Sequence, residues 1–177
     1  GTRVRKNHTS KRGAFQTIGS NPAFIIAENQ IQKNISEDFF KISEFQPRIK
    51  LDTRVALVKY YPGYDPKLLD EIIEMGYKGI IFEGTGLGHI GNTMYESVKK
   101  ANEKGIFLGM TSQCIDGRIR MTVYESGRDL LDLGIIPLEN MIPEAALVKA
   151  MWAMGNFQNG EEIKKIMLEN ISSEFSS

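Results

Sequence analysis

From Thr53 onward the chain alternates short apolar runs with stretches whose apolar residues recur every three or four positions. Val55 to Tyr60 is a β-branched and aromatic run stopped by Pro62-Gly63, the pattern of a strand. Asp65-Pro66 then opens a helix, because an aspartate side chain caps free amides and proline suits the first helical position. Leu68, Leu69, Ile72, Ile73 and Met75 supply its apolar face, and Gly76 ends it. Gly79 to Phe82 is the next strand, and a glycine-rich loop from Gly84 to Gly91 leads into a helix from about Asn92 to Lys104, stopped by Gly105. Ile106 to Met110 reads as the third strand, Asp116-Gly117 as a turn, Tyr124 to Leu133 as a helix, and Ile135-Ile136 as a short strand before Pro137. Two helices follow, Pro143 to Met154 and Glu161 to about Ile171. Such alternation predicts an α/β fold with a short parallel β-sheet flanked by helices on both faces and right-handed crossovers. Ligands of these sheets gather at the carboxyl ends of the strands, which directs attention to the loops Tyr60 to Tyr64, Glu83 to Gly91 and Thr111 to Gly117.

The stretch before Thr53 is different. Residues 22–50 mix short apolar pieces (Ala23 to Ala27, Phe39-Phe40, Ile42) with polar ones in no sustained period, and read as short strands and a connector ending near Pro47. Ahead of them Arg3, Arg5, Lys6, Lys11 and Arg12 all precede the first acidic residue, Glu28. This basic head has two readings, a phosphate-binding arm or an extended solvated segment at a domain edge. The second is favoured, since no aromatic residues alternate with the charges as a single-strand binder requires.

Composition narrows the picture. The 177 residues carry 22 basic and 22 acidic side chains, for a formal net charge of zero, with 41% hydrophobic residues and one cysteine. A length in this range can bury a sizeable core. Balanced charge removes the simplest argument for a nucleic-acid or membrane-surface binder. A single cysteine excludes an internal disulfide framework and fits a reducing, cytoplasmic compartment. No apolar run approaches the roughly 18 residues of a membrane span, so no membrane association is expected. Gly1-Thr2-Arg3 does not read as a signal peptide, and the charged segment behind Gly1 reads as the continuation of a longer chain. Asn7-His8-Thr9, Asn34-Ile35-Ser36 and Asn170-Ile171-Ser172 match the glycosylation pattern but carry no weight without a secretion signal.

The three loops hold the candidate chemistry. Gly86-Leu87-Gly88-His89-Ile90-Gly91 is a G-x-G-x-x-G between a strand and a helix, the context of a dinucleotide site. The ribose-binding carboxylate is missing, however, because the next strand ends in Met110, Thr111 and Ser112. A tight turn whose glycines supply positive φ is therefore the favoured reading. Cys114 and His89 fall in adjacent loops as a candidate thiolate-imidazole pair, though nothing around Thr111-Ser112-Gln113-Cys114 forms a cysteine-nucleophile signature, and a lone cysteine is usually an inert small side chain. Glu83 stands where a parallel sheet presents reactive groups, with capping or pairing to a surface cation as its plainer role. Tyr60 and Tyr61 line a pocket or simply pack at a strand end. Leu147, Val148, Met151, Trp152 and Met154 have the spacing of a core or oligomer-interface face. Neither a metal constellation nor a P-loop nor a pair of catalytic carboxylates is recognisable in the sequence.

Taken in order, Val55-Ala56-Leu57-Val58-Lys59-Tyr60-Tyr61-Pro62-Gly63-Tyr64-Asp65-Pro66, Gly79-Ile80-Ile81-Phe82-Glu83-Gly84-Thr85-Gly86-Leu87-Gly88-His89, Thr111-Ser112-Gln113-Cys114, Val123-Tyr124-Glu125-Ser126-Gly127-Arg128 and Met141-Ile142-Pro143-Glu144-Ala145-Ala146-Leu147-Val148-Lys149 resemble the carboxyl-terminal domain of type I L-asparaginases. Within that family the resemblance is closer to the asparaginase-like glutaminase subunits, the D-type subunits, of archaeal glutamyl-tRNA(Gln) amidotransferases. Leu87 stands at or next to a position where free-standing asparaginases tend to carry asparagine, and Ile142 stands where they place a threonine cap. The head from Gly1 to Arg12 resembles the strand and loop that close the family's first, catalytic domain.

The resemblance implies a division at about residue 50: residues 1–50 would be the end of the amino-terminal catalytic domain plus a connector, and residues 51–177 the carboxyl-terminal asparaginase/glutaminase domain. The family's threonine nucleophile, in a Thr-Gly-Gly-Thr motif, and its Thr-Asp pair and lysine have no counterpart in this segment. No catalytic residue is therefore carried over, and the segment alone is expected to be inactive. What the resemblance carries over is a substrate-proximal loop that reaches across a homodimer, here Glu83, Thr85, Gly86, Leu87, Gly88 and His89. It also implies an effector-pocket segment at Thr111, Ser112, Gln113 and Cys114. For the parent protein it implies ammonia release from glutamine, with the amidotransferase's E-type subunit as partner and Glu-tRNA(Gln) engaged through the complex. ATP and Mg²⁺ would be bound by that E-type subunit, leaving no cofactor in this chain.

Overall fold

The computed structural model of the chain describes residues 1–35 and 47–176. Phe39, Phe40 and Ile42 therefore lie outside the described residues, as does Ser36 of one Asn-x-Ser match. Two small antiparallel hairpins come first. β1 (Val4–Lys6) pairs with β2 (Phe15–Thr17), Val4 opposite Thr17. β3 (Phe24–Ala27) pairs with β4 (Gln30–Lys33), Ile26 opposite Ile31, around a two-residue turn in which Glu28 and Asn29 both have positive φ. That turn geometry matches the twist of a hairpin.

The body is a four-stranded parallel sheet of β5 (Val55–Lys59), β6 (Gly79–Gly84), β7 (Phe107–Ser112) and β8 (Ile136–Pro137), in that spatial order. Between successive strands run α1 (Pro66–Glu74), α2 (Tyr95–Glu103) and α3 (Glu125–Asp132); α4 (Pro143–Asn156) and α5 (Gly160–Leu168) close the chain. This is the α/β architecture the periodicity predicts. Asp65 caps α1 as expected, its carboxylate accepting from the Lys67 amide at 3.0 Å. The helix expected from Asn92 begins instead with a 3₁₀ turn, Asn92–Met94, and becomes α-helical only at Tyr95. On α1, Leu69 and Ile73 are buried while Leu68 and Met75, expected on the same face, are exposed.

Two cores lie on the two faces of the sheet. On one, Val58, Ile80, Phe82, Leu108 and Met110 meet Leu69, Met94, Val98 and Leu130 from the crossover helices. On the other, Val55 and Ile81 meet Ala146, Ala150, Ala153 and Met167 from α4 and α5. β6 shows the logic, because Ile80 and Phe82 point one way, Ile81 the other, and all three are fully buried. Each such side chain contributes roughly 1.5–3 kcal/mol of burial. The face of α4 against the sheet is the small one, Ala146, Ala150 and Ala153, whereas Val148, expected among the core-spaced residues, is exposed and Leu147, Met151 and Trp152 are half-buried. Alanines allow a close approach. A β-carbon on Gly79 would lie 2.5 Å from the Met154 methyl.

The basic head is not a solvated segment. Arg3 is buried: its Nε donates to the Ile18 carbonyl at 2.8 Å, and its Nη1 to the carbonyls of Asn140 at 3.1 Å and Glu174 at 2.6 Å. Arg5 forks onto both carboxylate oxygens of Glu144 at 2.9 and 2.8 Å. A guanidinium presents several donors in a fixed plane, which suits a point where three backbone segments cross. Two of the five head cations are thus committed to holding the head on the body. Nearby, the Lys149 ammonium meets the Glu174 carboxylate at 3.0 Å with both side chains buried, and also donates to the Glu169 carbonyl. Glu174 accepts the Ser172 amide at 2.7 Å, and Thr2 donates to the Ser172 carbonyl at 2.7 Å. The head, α4 and the carboxyl-terminal tail are therefore one interlocked unit.

Candidate functional site at the carboxyl edge of the sheet

The sheet register sets Glu83 beside Thr111 and Gly84 beside Ser112, so the two candidate segments, Glu83 to His89 and Thr111 to Cys114, are neighbours. Thr111 is buried and its hydroxyl donates to the Phe82 carbonyl at 2.7 Å. Ser112 Oγ donates to the Gly86 carbonyl at 2.7 Å and accepts the Cys114 amide at 3.0 Å. The Gln113 side-chain amide donates to the carbonyls of Tyr60 and, at 2.9 Å, Glu83, fastening the ends of β5 and β6 to the loop after β7. These polar groups build and rigidify the edge.

The glycine loop is a closed turn. Thr85 and His89 exchange backbone hydrogen bonds at 2.9 and 3.0 Å, and the Thr85 hydroxyl also donates to the His89 carbonyl at 3.3 Å. Gly86 and Gly88 have φ of +50° and +97°, the left-handed region that glycine takes without strain. Gly84 is needed for space: a β-carbon there would lie 2.7 Å from Met110 Sδ and 3.0 Å from the His89 backbone. The turn runs into a 3₁₀ segment at Asn92, whereas a dinucleotide loop opens directly onto an α-helix.

Cys114 and His89 share an end of the sheet without forming a pair. Cys114 is exposed, while His89 Nε2 is shielded from solvent with no hydrogen-bond partner, and its ring stands 5.6 Å from the Tyr124 ring. Glu83 faces Lys59 at 3.5 Å. Tyr61 and Tyr64 meet edge to face, 5.3 Å between centroids. Burial pushes the Glu144 carboxyl up, but the hydrogen bond and charge of Arg5 outweigh it and leave the group below the usual carboxylate range. The same contact raises Arg5. The edge thus carries Arg5, Glu144, Lys59 and Glu83 around loops whose other polar groups are spent on structure. Among the described residues, no group of three or more His, Cys, Asp or Glu side chains is placed to hold a metal ion. No helix among them is long and apolar enough to cross a membrane.

Sequence reasoning did not find Arg3, Arg5, Glu144, Lys149 and Glu174. Lys149 had a readable signal, a lysine at the spacing of Ala146, Ala150 and Ala153 on the buried side of a helix. The arginines stand in no periodic pattern and carried none.

A parallel α/β sheet with a closed glycine turn after its second strand and a small-residue helix behind it defines the class, a carboxyl-terminal domain of amide-hydrolase type. The chain belongs to the glutaminase/asparaginase family: the family model for the Glutaminase/Asparaginase C-terminal domain matches residues 54–167. Over nearly its whole length it is similar to the D-type subunit of glutamyl-tRNA(Gln) amidotransferase, with 46% identity over 98% of the chain to the protein of Pyrococcus abyssi and 46% over 99% to that of Metallosphaera sedula. In both cases the chain spans 40% of the relative's length. The thermostable L-asparaginase of Thermococcus kodakarensis superposes with a TM-score of 0.86 at 32% identity, covering 99% of this chain and 54% of that one. L-asparaginase I of Vibrio cholerae shares the fold, with a TM-score of 0.88 at 24% identity over 99% of this chain and 54% of its own.

Proposed function

We propose that this chain is the carboxyl-terminal part of a glutaminase subunit of a glutamyl-tRNA(Gln) amidotransferase. The observation that carries the reading is 46% identity to the D-type amidotransferase subunits across 98–99% of the chain. In this reading residues 1–50 finish the catalytic domain and residues 51–177 form the second domain. A threonine hydroxyl in the remainder of the protein attacks the glutamine side-chain amide, an acyl-enzyme forms through an oxyanion, and ammonia leaves. The E-type subunit of the complex, with ATP and Mg²⁺, uses that ammonia to convert Glu-tRNA(Gln) to Gln-tRNA(Gln) in the cytoplasm.

Residues 83–89 supply a rigid turn that reaches towards the neighbouring active site of a homodimer, and the segment 111–114 lines an effector pocket. The fixed geometry of both, held by the Gln113 and Ser112 hydrogen bonds, supports a positioning role. The 177-residue chain by itself does not hydrolyse glutamine.

The test is a chimera in which the part of the Pyrococcus abyssi relative outside the match is joined ahead of this chain. Ammonia release from glutamine and asparagine is measured with and without the E-type subunit. Release from glutamine is expected, and a folded chimera inactive in both settings overturns the reading. The likeness to the Thermococcus kodakarensis enzyme favours a second reading, a free-standing asparaginase. Fast asparagine hydrolysis with no partner would select it.

A further inference from the structure

The strand β3 has the wrong surroundings for its composition. Phe24-Ile25-Ile26-Ala27 is apolar at every position, the pattern of a strand covered on both faces. β4 reads Gln30-Ile31-Gln32-Lys33, the alternation of a half-covered strand beside it. Yet all eight residues are exposed, Ile26 at 76% and Ile31 at 70%. These two isoleucines face each other across the hairpin, with Phe24 two residues along on the same face, while Ile25 projects from the opposite face. β2 adds Phe15, 66% exposed. Residues of both hairpins, including Val4, Phe15, Phe24, Ile25 and Ile26, line one groove of about 910 Å³.

The outer edge of β3 is open as well. Asn34 donates its amide to the Ala23 carbonyl, so alternation along the antiparallel pair turns the Ile26 amide away from β4. Among the described residues β4 is the only strand paired with β3. A lone two-stranded hairpin is at best marginally stable in water, and an open apolar edge is a template for another strand. Two facts identify what fills it. The hairpins lie ahead of the 54–167 domain match but inside the stretch shared with the relatives, and those relatives carry much more chain than that stretch, this one spanning 40% of the amidotransferase proteins and 54% of the Thermococcus kodakarensis chain.

We propose that β3, with Ile31 of β4 and Phe15 of β2, is the docking surface for the further polypeptide that these relatives carry beyond the shared stretch. A strand of that polypeptide pairs along the outer edge of β3, and apolar side chains cover Ile26 and Ile31 on one face and Ile25 on the other. The inference rests on the family membership; it is independent of which amide is hydrolysed.

The test produces this chain and the non-shared part of the Pyrococcus abyssi relative as two polypeptides in the same cells and measures their association by sedimentation. A one-to-one complex is expected, in which the Ile26 amide exchanges far more slowly than in this chain alone. Ile26→Lys with Ile31→Lys weakens the complex by roughly ten-fold or more, since central apolar anchors carry most of an interface's affinity. Val148→Lys, on the exposed side of α4, leaves it unchanged. Circular dichroism of the double variant checks its folding, and the Ile26 exchange measurement stands on the wild-type chain should that variant unfold. The proposal is overturned by absence of a complex, by a complex indifferent to both substitutions, by unchanged Ile26 exchange, or by self-association of this chain through the same residues. A complex with the expected exchange that releases no ammonia from glutamine leaves this interface standing and removes the functional reading.

Discussion

β6 and β3 are equally apolar in their central residues, Ile80-Ile81-Phe82 and Phe24-Ile25-Ile26, yet the first three are fully buried and the second three exposed. β6 lies between two strands and under helices on both faces; β3 has one short neighbour. The contrast shows that a strand's composition records the environment it is built for, while its stability depends on the environment it has. The body supplies that environment from its own residues. The head hairpins do not.

The largest effect that could break this comparison is Ile81→Ala. With Ile81 clasped between β6 and α4, the loss is expected at about 3–4 kcal/mol in urea unfolding, and a cost below about 1 kcal/mol would mean the second core is loosely packed. At the seam between head and body, Lys149→Met leaves the Glu174 carboxylate buried without its cation. A cost near 3 kcal/mol is expected, because an unpaired buried charge is penalised more than a pair is rewarded. The seam also titrates. Burial pushes the Glu174 carboxyl up, but the Ser172 amide and the Lys149 charge together hold it below its ordinary value. A depressed folded-state pKa contributes stability that is present above the unfolded value of about 4.3 and lost as pH falls through the folded one. Melting temperature is therefore expected to hold from pH 7 to about 5.5 and to fall below about pH 4, less steeply in Glu174→Gln. An identical acid limb in that variant would place the titration elsewhere.

Smaller changes sharpen the contrast. Asp65→Ala removes the cap of α1 and is expected to cost about 1 kcal/mol by chemical denaturation. Ile31→Ala, the same truncation as at position 81 but on the exposed hairpin, is expected to change the stability of this chain by less than about 0.5 kcal/mol. A cost comparable to that at Ile81 would show that the hairpin already has cover.

The sequence made the body legible because each of its signals is local. Pro66 after Asp65, the glycines at 76, 105 and 134 and the short apolar runs place every strand and helix to within about three residues. The head was harder. Three- and four-residue strands show too little of any period, and Arg3 reads as a surface charge until the backbone carbonyls of Ile18, Asn140 and Glu174 are seen to converge on it. At the candidate site the sequence located the loops by topology, and register brought Glu83 next to Thr111 as that reasoning requires. It could not foresee that Gln113 and Ser112 spend their side chains on neighbouring carbonyls, since those partners are more than twenty residues away. The literal glycine motif misleads for a related reason. The sequence shows the glycines, but only the Thr85–His89 bridge shows that they close a turn.

The arginine at position 3 has a consequence for time as well as for structure. Its bond to the Glu174 carbonyl and the neighbouring bond from Thr2 to the Ser172 carbonyl join residues 171 and 170 positions apart. Bringing the two ends of so long a loop together carries an entropic cost that is offset only once the intervening sheet has folded. Contacts of this kind are absent from the rate-limiting barrier and act on the reverse step. Arg3 accordingly governs how long the folded chain stays closed and has little influence on how fast it forms.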